Sequence, residues 1–348
     1  MISFKKTVPA VLLTATLALS ACSSTSSGQN NQNDDGNSTN KQADQQTKQT
    51  ASPNKQTTLP EASLQKGDKG EKVADLQQVL KKIGYPIKKT DIFDTDTTWA
   101  ITDFQLQQKK LDITGMYDNE TESFLHKALT GKLQIDPGKV LPHMDKPQKD
   151  EHGVVISNPY EILSLVNKNH ALPSDFVPKD LVTPDIPFPF TEDLPKKQVR
   201  KPAAKALEKM FAAAKKDGVN LYGQSGYRSY ERQESLFSAY AEKDGKAAAN
   251  KYSARPGQSE HQTGLAMDVT SPDIQFDINE NFANTKEGKW LAEHCDEYGF
   301  IIRYPKSKED ITKYEYEAWH VRYVGKKAAK QITKNNSTLE EYLQSLKK

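Results

Sequence analysis

This 348-residue sequence predicts an α+β domain, an antiparallel sheet with flanking helices, preceded by a small three-helix unit. Two observations carry that reading. Residues 64–130 hold three segments with helical spacing of apolar side chains, separated by turn-rich pieces. From about Asn158 onward, helical stripes and alternating strand-like runs interleave without the regular rhythm of βαβ units.

The first unit opens on Gly67-Asp68-Lys69-Gly70, which leads into a helix with Val73, Leu76, Leu80 and Ile83 on one face. Gly84 follows as its C-terminal cap. A second helix carries Trp99, Ile101, Phe104 and Leu106, and a third carries Phe124, Leu125 and Leu129. The unit has no cluster of His, Cys or paired acids, so it suits binding better than chemistry. The strings KGDKGEKVADLQQVLKKIGY, IFDTDTTWAITDFQ and DITGMYDNETESFL resemble the three-helix peptidoglycan-binding module of many cell-wall enzymes. That resemblance implies wall glycan as a partner.

Before this unit lie two stretches of other character. Lys5 and Lys6 precede an apolar run from Val8 to Leu19, and Leu19-Ser20-Ala21-Cys22 follows. This resembles the lipobox of bacterial lipoproteins, which implies lipidation of Cys22 and anchorage to the outer face of the cell membrane. From Ser23 to about Pro60 almost nothing is apolar, so the stretch cannot offset its ordering entropy and reads as a disordered tether. The expected organisation is therefore signal peptide 1–21, tether 22–62, binding domain 63–131, linker 132–158 and a second, larger domain 159–348. The linker is assigned from its Pro, Gly and Lys content and lack of periodicity.

Charge excludes one partner class. Lys and Arg number 48 against 46 acids, net +2, so no basic field points to nucleic acid. No run of about 18 apolar residues occurs beyond the N-terminus, so no mature membrane span is expected. Cys295 is the second of two cysteines, so no disulfide framework exists once Cys22 carries lipid; it reads as a small buried hydrophobe.

In the second domain, Leu207, Met210, Phe211 and Ala214 form a helical stripe ending at Asp217-Gly218, and a short strand runs through Leu221 toward Gly226-Tyr227-Arg228. Ser229 caps a further helix, with Leu236, Phe237 and Tyr240 expected inward. Leu265, Met267 and Val269 alternate with Ala266 and Asp268, a strand signal. A helix bearing Trp290, Leu291, Cys295 and Tyr298 ends at Gly299 before a strand over Phe300–Tyr304. Trp319, Val321 and Tyr323 alternate in another strand. Ser337 and Glu340 read as the capping box of a last helix with Leu339, Leu343 and Leu346 inward.

Three stretches carry chemistry: SGYRSYERQ (225–233), SEHQTGLAMD (259–268) and EAWHVRYVG (317–325). Together they supply His261, Asp268 and His320, a nitrogen, nitrogen, oxygen set suited to Zn²⁺ with a fourth position left for water. An acid inside an alternating apolar run is explained if it meets a cation. Glu317, three residues before His320, is placed to act as a base if it lies in a bend entering its strand. Arg228 offers a positive fork where negative charge develops, and Gly226 allows close backbone approach. His294 reads as core or rim, and Arg322 as a supporting or ordinary ion-pair residue.

SGYRS, SxHxxGxAxD and ExWHxR, in this order, resemble the signature of the VanY-type D-alanyl-D-alanine carboxypeptidases, within the group of zinc D,D-peptidases and Hedgehog-like domains. The resemblance runs from about Glu161 to Leu346. It implies one zinc held by His261, Asp268 and His320, Glu317 as general base, and Arg228 polarising the scissile carbonyl. Gln233 and Ser259 are implied in the substrate pocket. The expected function is removal of the terminal D-Ala from peptidoglycan stem peptides by a monomeric enzyme outside the cytoplasm, in a Gram-positive cell. Two rivals stand beside it: L,D-carboxypeptidase or endopeptidase action on the same peptides, and a non-catalytic wall-binding scaffold with a structural zinc.

Overall fold

The computed structural model describes residues 58–144, 146–150 and 153–347. The expected signal peptide, Cys22 and nearly all of the tether lie outside them. Among the described residues no helix is long and apolar enough to cross a membrane.

Three helices build the first unit: α1 (Glu71–Lys82), α2 (Thr95–Leu106) and α3 (Asn119–Leu129). Asp94 and Asp118 each accept a hydrogen bond from a backbone N–H three residues on, at 2.8 Å, which stops the chain from fraying at the start of α2 and α3. Val73, Leu76 and Leu80 of α1 pack on Trp99, Ile101, Phe104 and Leu125 in one core. Gly84 takes a φ of 105° just past α1, the left-handed turn its sequence position called for.

The stretch expected as linker is ordered in large part and packs. Trp99 Nε1 donates to the Leu141 carbonyl at 2.8 Å, and Leu141 joins the core of the first unit. Two short strands follow, β1 (Gln148–Asp150) and β2 (Gly153–Val155), the second pairing in parallel with β3 (His170–Ala171). They are too short to show an alternating pattern in the sequence.

The second domain adds β4 (Leu181–Val182), β5 (Val199–Arg200), α4 (Lys201–Lys216), β6 (Tyr222–Ser225), α5 (Tyr230–Asp244) and α6 (Lys246–Tyr252). After these come β7 (Ala266–Thr270), α7 (Lys286–His294), β8 (Phe300–Tyr304), α8 (Glu309–Thr312), β9 (Glu317–Tyr323), α9 (Lys326–Lys334) and α10 (Leu339–Ser345). The main sheet is antiparallel with strand order β6-β7-β9-β8. One face of β7 sends Met267 and Val269 into a core shared with Leu207, Met210 and Phe211 of α4, Phe300 of β8 and Val321 of β9. The other face of the sheet is left for the site.

Three local expectations need correction. Tyr240 is 39% exposed and, of α5, only Gln233 is buried, because α5 packs chiefly on α6 over the open face of the sheet. The capping box uses Thr338 and Glu341, one residue later than expected, since Ser337-Thr338 and Glu340-Glu341 offer the same chemistry in either register. The helix bearing Trp290 stops at His294 and tightens into a 3₁₀ turn over Cys295–Tyr298, ended by Gly299 in the left-handed region.

Among the described residues the two folded parts belong to one compact body. Lys66 Nζ lies 2.8 Å from Glu161, Asn158 donates to Thr102 Oγ1 at 3.0 Å, and Arg200 reaches the Ile113 carbonyl. Gln65 Nε2 donates to Tyr342 Oη of α10 at 3.3 Å.

Candidate active site

Asp268 and His320 are register partners on β7 and β9, and Asp268 also stands opposite Ser225 of β6. With Met267 and Val269 committed to the core, strand alternation turns Asp268 to the opposite face. His261 arrives from a 3₁₀ turn, Glu260–Thr263, closed by Gly264 at φ 67°. A Cβ at Gly264 would come within 2.8 Å of Arg200 Cγ, so the tight return that brings His261 back over the strand needs glycine.

The three side chains converge. His261 Nε2 lies 3.3 Å from Asp268 Oδ2, and His320 Nδ1 lies 3.0 Å from Asp268 Oδ1. One ligand atom from each falls within 4.8 Å of the other two, and all three residues are buried. Among the described residues this is the one group of three or more such side chains so arranged.

The far side of His261 fixes its tautomer. Its Nδ1 lies 2.8 Å from the Gly226 carbonyl, which can only accept, so Nδ1 carries the hydrogen and Nε2 turns a lone pair toward Asp268. A lone pair facing a carboxylate needs a cation between them. Gly226 can come this close because it lacks a Cβ, which would sit 2.4 Å from the Gln198 carbonyl. Charge follows the same logic. Burial pushes His261 down. Burial works against ionised Asp268, but the two imidazoles beside it, His261 first, hold it well below the usual carboxylate range. Burial also opposes a charged His320, yet the carboxylates of Asp268 and Glu260 beside it push it up to about 10. The carboxylate at the centre of the pocket is thus held ionised between two imidazoles. Two imidazole nitrogens and one carboxylate oxygen are the donor set of a zinc site, and these residues fit that ion.

Glu317 is the first residue of β9. Ile302 pairs with Val321 but Tyr304 pairs with Glu317, so β9 spends two extra residues over that interval. This bulge lets Glu317 and His320, an odd number apart, reach the same cavity. Glu317 Oε2 stands 3.7 Å from His320 Nδ1. Burial pushes Glu317 up to about 7, with His320 pulling the other way.

Arg228 lines the same cavity of about 260 Å³. Its Nη1 donates to Gln233 Oε1 at 2.9 Å and its Nη2 to Ser225 Oγ at 3.3 Å. Gln233 Nε2 donates in turn to the Ala254 carbonyl at 2.7 Å, so both ends of that amide are engaged in orienting the guanidinium. Ser259 is buried in the cavity wall. Every expected site residue among those described therefore meets at one place. His294 lies elsewhere, 2.9 Å from Glu297, and Arg322 turns inward, away from the cavity.

Sequence reasoning missed the aromatic wall: Tyr304, Tyr314 and Trp319 on one side, and Tyr240 with Tyr252 at the mouth. Tyr240 and Tyr252 pack edge to face, centroids 5.3 Å apart, with each ring 39% exposed. Their spacing on α5 and α6 resembles an ordinary apolar face, so no sequence signal marks them.

Residues 196–326 match the family described as "VanY: D-alanyl-D-alanine carboxypeptidase", and residues 69–125 match the "Putative peptidoglycan binding domain". "Putative carboxypeptidase YodJ" of Bacillus subtilis is 56% identical over 193 residues, covering 56% of this chain and 71% of that protein. The chain belongs to the VanY D-alanyl-D-alanine carboxypeptidase family. A second VanY-type relative, the "Bifunctional D-Ala-D-Ala dipeptidase and D-Ala-D-Ala carboxypeptidase VanXYC" of Enterococcus gallinarum, is 36% identical over 185 residues, covering 52% of this chain and 92% of that one. Among solved structures, the LdcB LD-carboxypeptidase is 54% identical at a TM-score of 0.56, covering 57% of this chain and 93% of that chain. A VanY-family carboxypeptidase domain thus follows a peptidoglycan-binding unit in one chain, an arrangement suited to work on the cell wall outside the cytoplasm.

Proposed function

We propose that this protein is a zinc-dependent D-alanyl-D-alanine carboxypeptidase that removes the terminal D-Ala from peptidoglycan stem peptides. The observation that carries the proposal is the convergence of His261, Asp268 and His320 with Glu317 and Arg228 around one cavity. His261, Asp268 and His320 would hold one zinc ion, which when bound supplies Lewis acidity toward the scissile carbonyl and toward an attacking water. Glu317, with its carboxylate held near neutrality by burial, takes the proton from that water and returns it to the leaving amine of D-Ala. Arg228, steadied by Gln233 and Ser225, donates to the carbonyl oxygen as it gains negative charge. Ser259 and the aromatic wall shape the place of the terminal residue. All of these groups come from one chain, which supports action as a monomer.

The wall-binding unit at 63–131 would hold the catalytic domain, 159–348, against its polymer, with the packed stretch 132–158 between them. Lipidated Cys22 and the polar tether 22–62 would anchor both to the outer face of the membrane. The experiment is mass spectrometry of defined pentapeptide muropeptides after incubation with the full chain and zinc, where loss of one alanine is expected. A second reading, L,D-carboxypeptidase action on tetrapeptides, is favoured by the likeness to LdcB. Loss of alanine from tetrapeptide but not pentapeptide would select it.

A further inference from the structure

Glu260 directly precedes His261 and is 1% exposed, an acid with no access to water. Its two oxygens have separate surroundings. Oε1 accepts from Arg303 Nε at 2.7 Å and from Arg322 Nη1 at 2.5 Å. Those guanidiniums are themselves fixed. Arg303 grips Glu340, in the first turn of α10, with both terminal nitrogens at 3.0 and 2.7 Å. Arg322 Nη2 donates to the carbonyls of Ile162 and Ser164 at 3.0 and 2.8 Å.

Oε2 is left over. It has no hydrogen-bond partner within ordinary criteria among the described residues, and neither has His320 Nε2. These two buried atoms face each other at 3.5 Å. An ionised carboxylate only accepts, so the pair is satisfied when His320 carries its hydrogen on Nε2. That leaves Nδ1, the nitrogen 3.0 Å from Asp268, to serve the metal.

We infer that Glu260 is a positioning residue for the metal centre: it fixes the tautomer and ring orientation of His320, while Arg303 and Arg322 hold its other oxygen. The inference rests on the zinc reading of the site. It gives the two buried arginines a purpose beyond neutralising charge, since they set which carboxylate oxygen is free. His261 is oriented by a neutral carbonyl and His320 by a clamped anion, so the two histidines are unequal ligands.

The test is zinc affinity of the full-length protein, read by competition with a chromophoric chelator, alongside thermal unfolding of the metal-free chain. Glu260→Gln keeps the shape but lets an amide N–H face His320 Nε2, and is expected to weaken zinc about 10–100-fold. Glu340→Gln removes the same charge from the same cluster without touching His320, and is expected to lower the melting temperature while leaving zinc affinity within about threefold, well short of an outer-partner effect. Should Glu260→Gln not fold, Glu260→Asp keeps the charge but withdraws the oxygen by one methylene, and zinc should again weaken. Wild-type zinc affinity retained by either folded Glu260 variant would overturn the inference, as would equal weakening by Glu340→Gln. A wild-type chain that binds no zinc would overturn the reading beneath it as well.

Discussion

Asp268 and His320 meet across neighbouring strands, Oδ1 to Nδ1 at 3.0 Å, with His261 closing on the other carboxylate oxygen at 3.3 Å. One buried acid therefore faces two imidazoles, and it is the residue whose loss should empty the site. Asp268→Asn keeps the volume and removes the charge. Zinc affinity is expected to fall by more than the roughly 10–100-fold typical of an outer hydrogen-bond partner. Equilibrium dialysis with zinc measures it, and unchanged stoichiometry at micromolar metal would count against the assignment.

Glu317 is assigned to proton transfer and to no ligand role. Glu317→Gln should retain one zinc per chain and lose about 10²–10⁴-fold in kcat. The pairing of metal content with turnover is what distinguishes a base from a ligand. Loss of metal together with activity would move Glu317 into the ligand set.

Arg228 is held as a fork, one nitrogen on Gln233 and another on Ser225. Lysine offers a single point charge and cannot keep both bonds while facing a substrate oxygen. Arg228→Lys should lower kcat/KM by about 10²–10³-fold. Gln233→Ala should cost less, because the guanidinium remains present but loses its orientation. Steady-state kinetics on one pentapeptide would rank the pair, and a larger loss for Gln233→Ala would reverse their roles.

The first unit and the catalytic domain share buried polar contacts, among them Lys66 with Glu161, whose side chain is 7% exposed. A single calorimetric unfolding transition is expected for the folded part of the chain. Glu161→Ala should lower its stability by about 1–2 kcal/mol, since one partner is half-shielded and the other buried. Two well-separated transitions would show that the parts fold independently.

Acid stability follows from Glu340. Burial opposes its charge, but Arg303 and its hydrogen bonds hold it below the ordinary carboxylate range in the folded chain. A depressed folded value means the unfolded chain binds the proton more readily. Glu340 therefore contributes stability above the ordinary carboxylate range, and that contribution is lost as pH falls through and below it. Glu340→Gln should flatten the acid limb of a stability-against-pH curve, measured by denaturant unfolding between pH 3 and 7.

Residues whose type alone announces chemistry were legible in the sequence. His261, Asp268 and His320 stand out because an acid in an apolar strand and two histidines in short motifs have few structural uses. Helical spacing likewise revealed α1 and α4, whose apolar stripes face real cores. Glu260 and Arg303 were illegible for the opposite reason, and Arg322, read as a supporting or ion-pair residue and found as one, had no partner visible in the sequence. Charged side chains in strands and turns are ordinarily solvent-facing, and only the folded chain shows that these three satisfy one another at 2.5–2.7 Å. Tyr240 misled through the same rule in reverse, since an aromatic at helical spacing is usually core, whereas here it borders an open cavity. The bulge that turns Glu317 toward His320 comes from strand pairing, which no local pattern encodes.

The central claim is metal-dependent removal of a terminal D-alanine, and one measurement reaches it directly. A defined muropeptide ending in D-Ala-D-Ala would be incubated with the wild-type chain, the chelated chain and Glu317→Gln, with products weighed by mass spectrometry. Loss of a single alanine with zinc-loaded wild type, and none with the other two, is the expected result. Equal alanine release by the chelated chain or by Glu317→Gln would contradict the account.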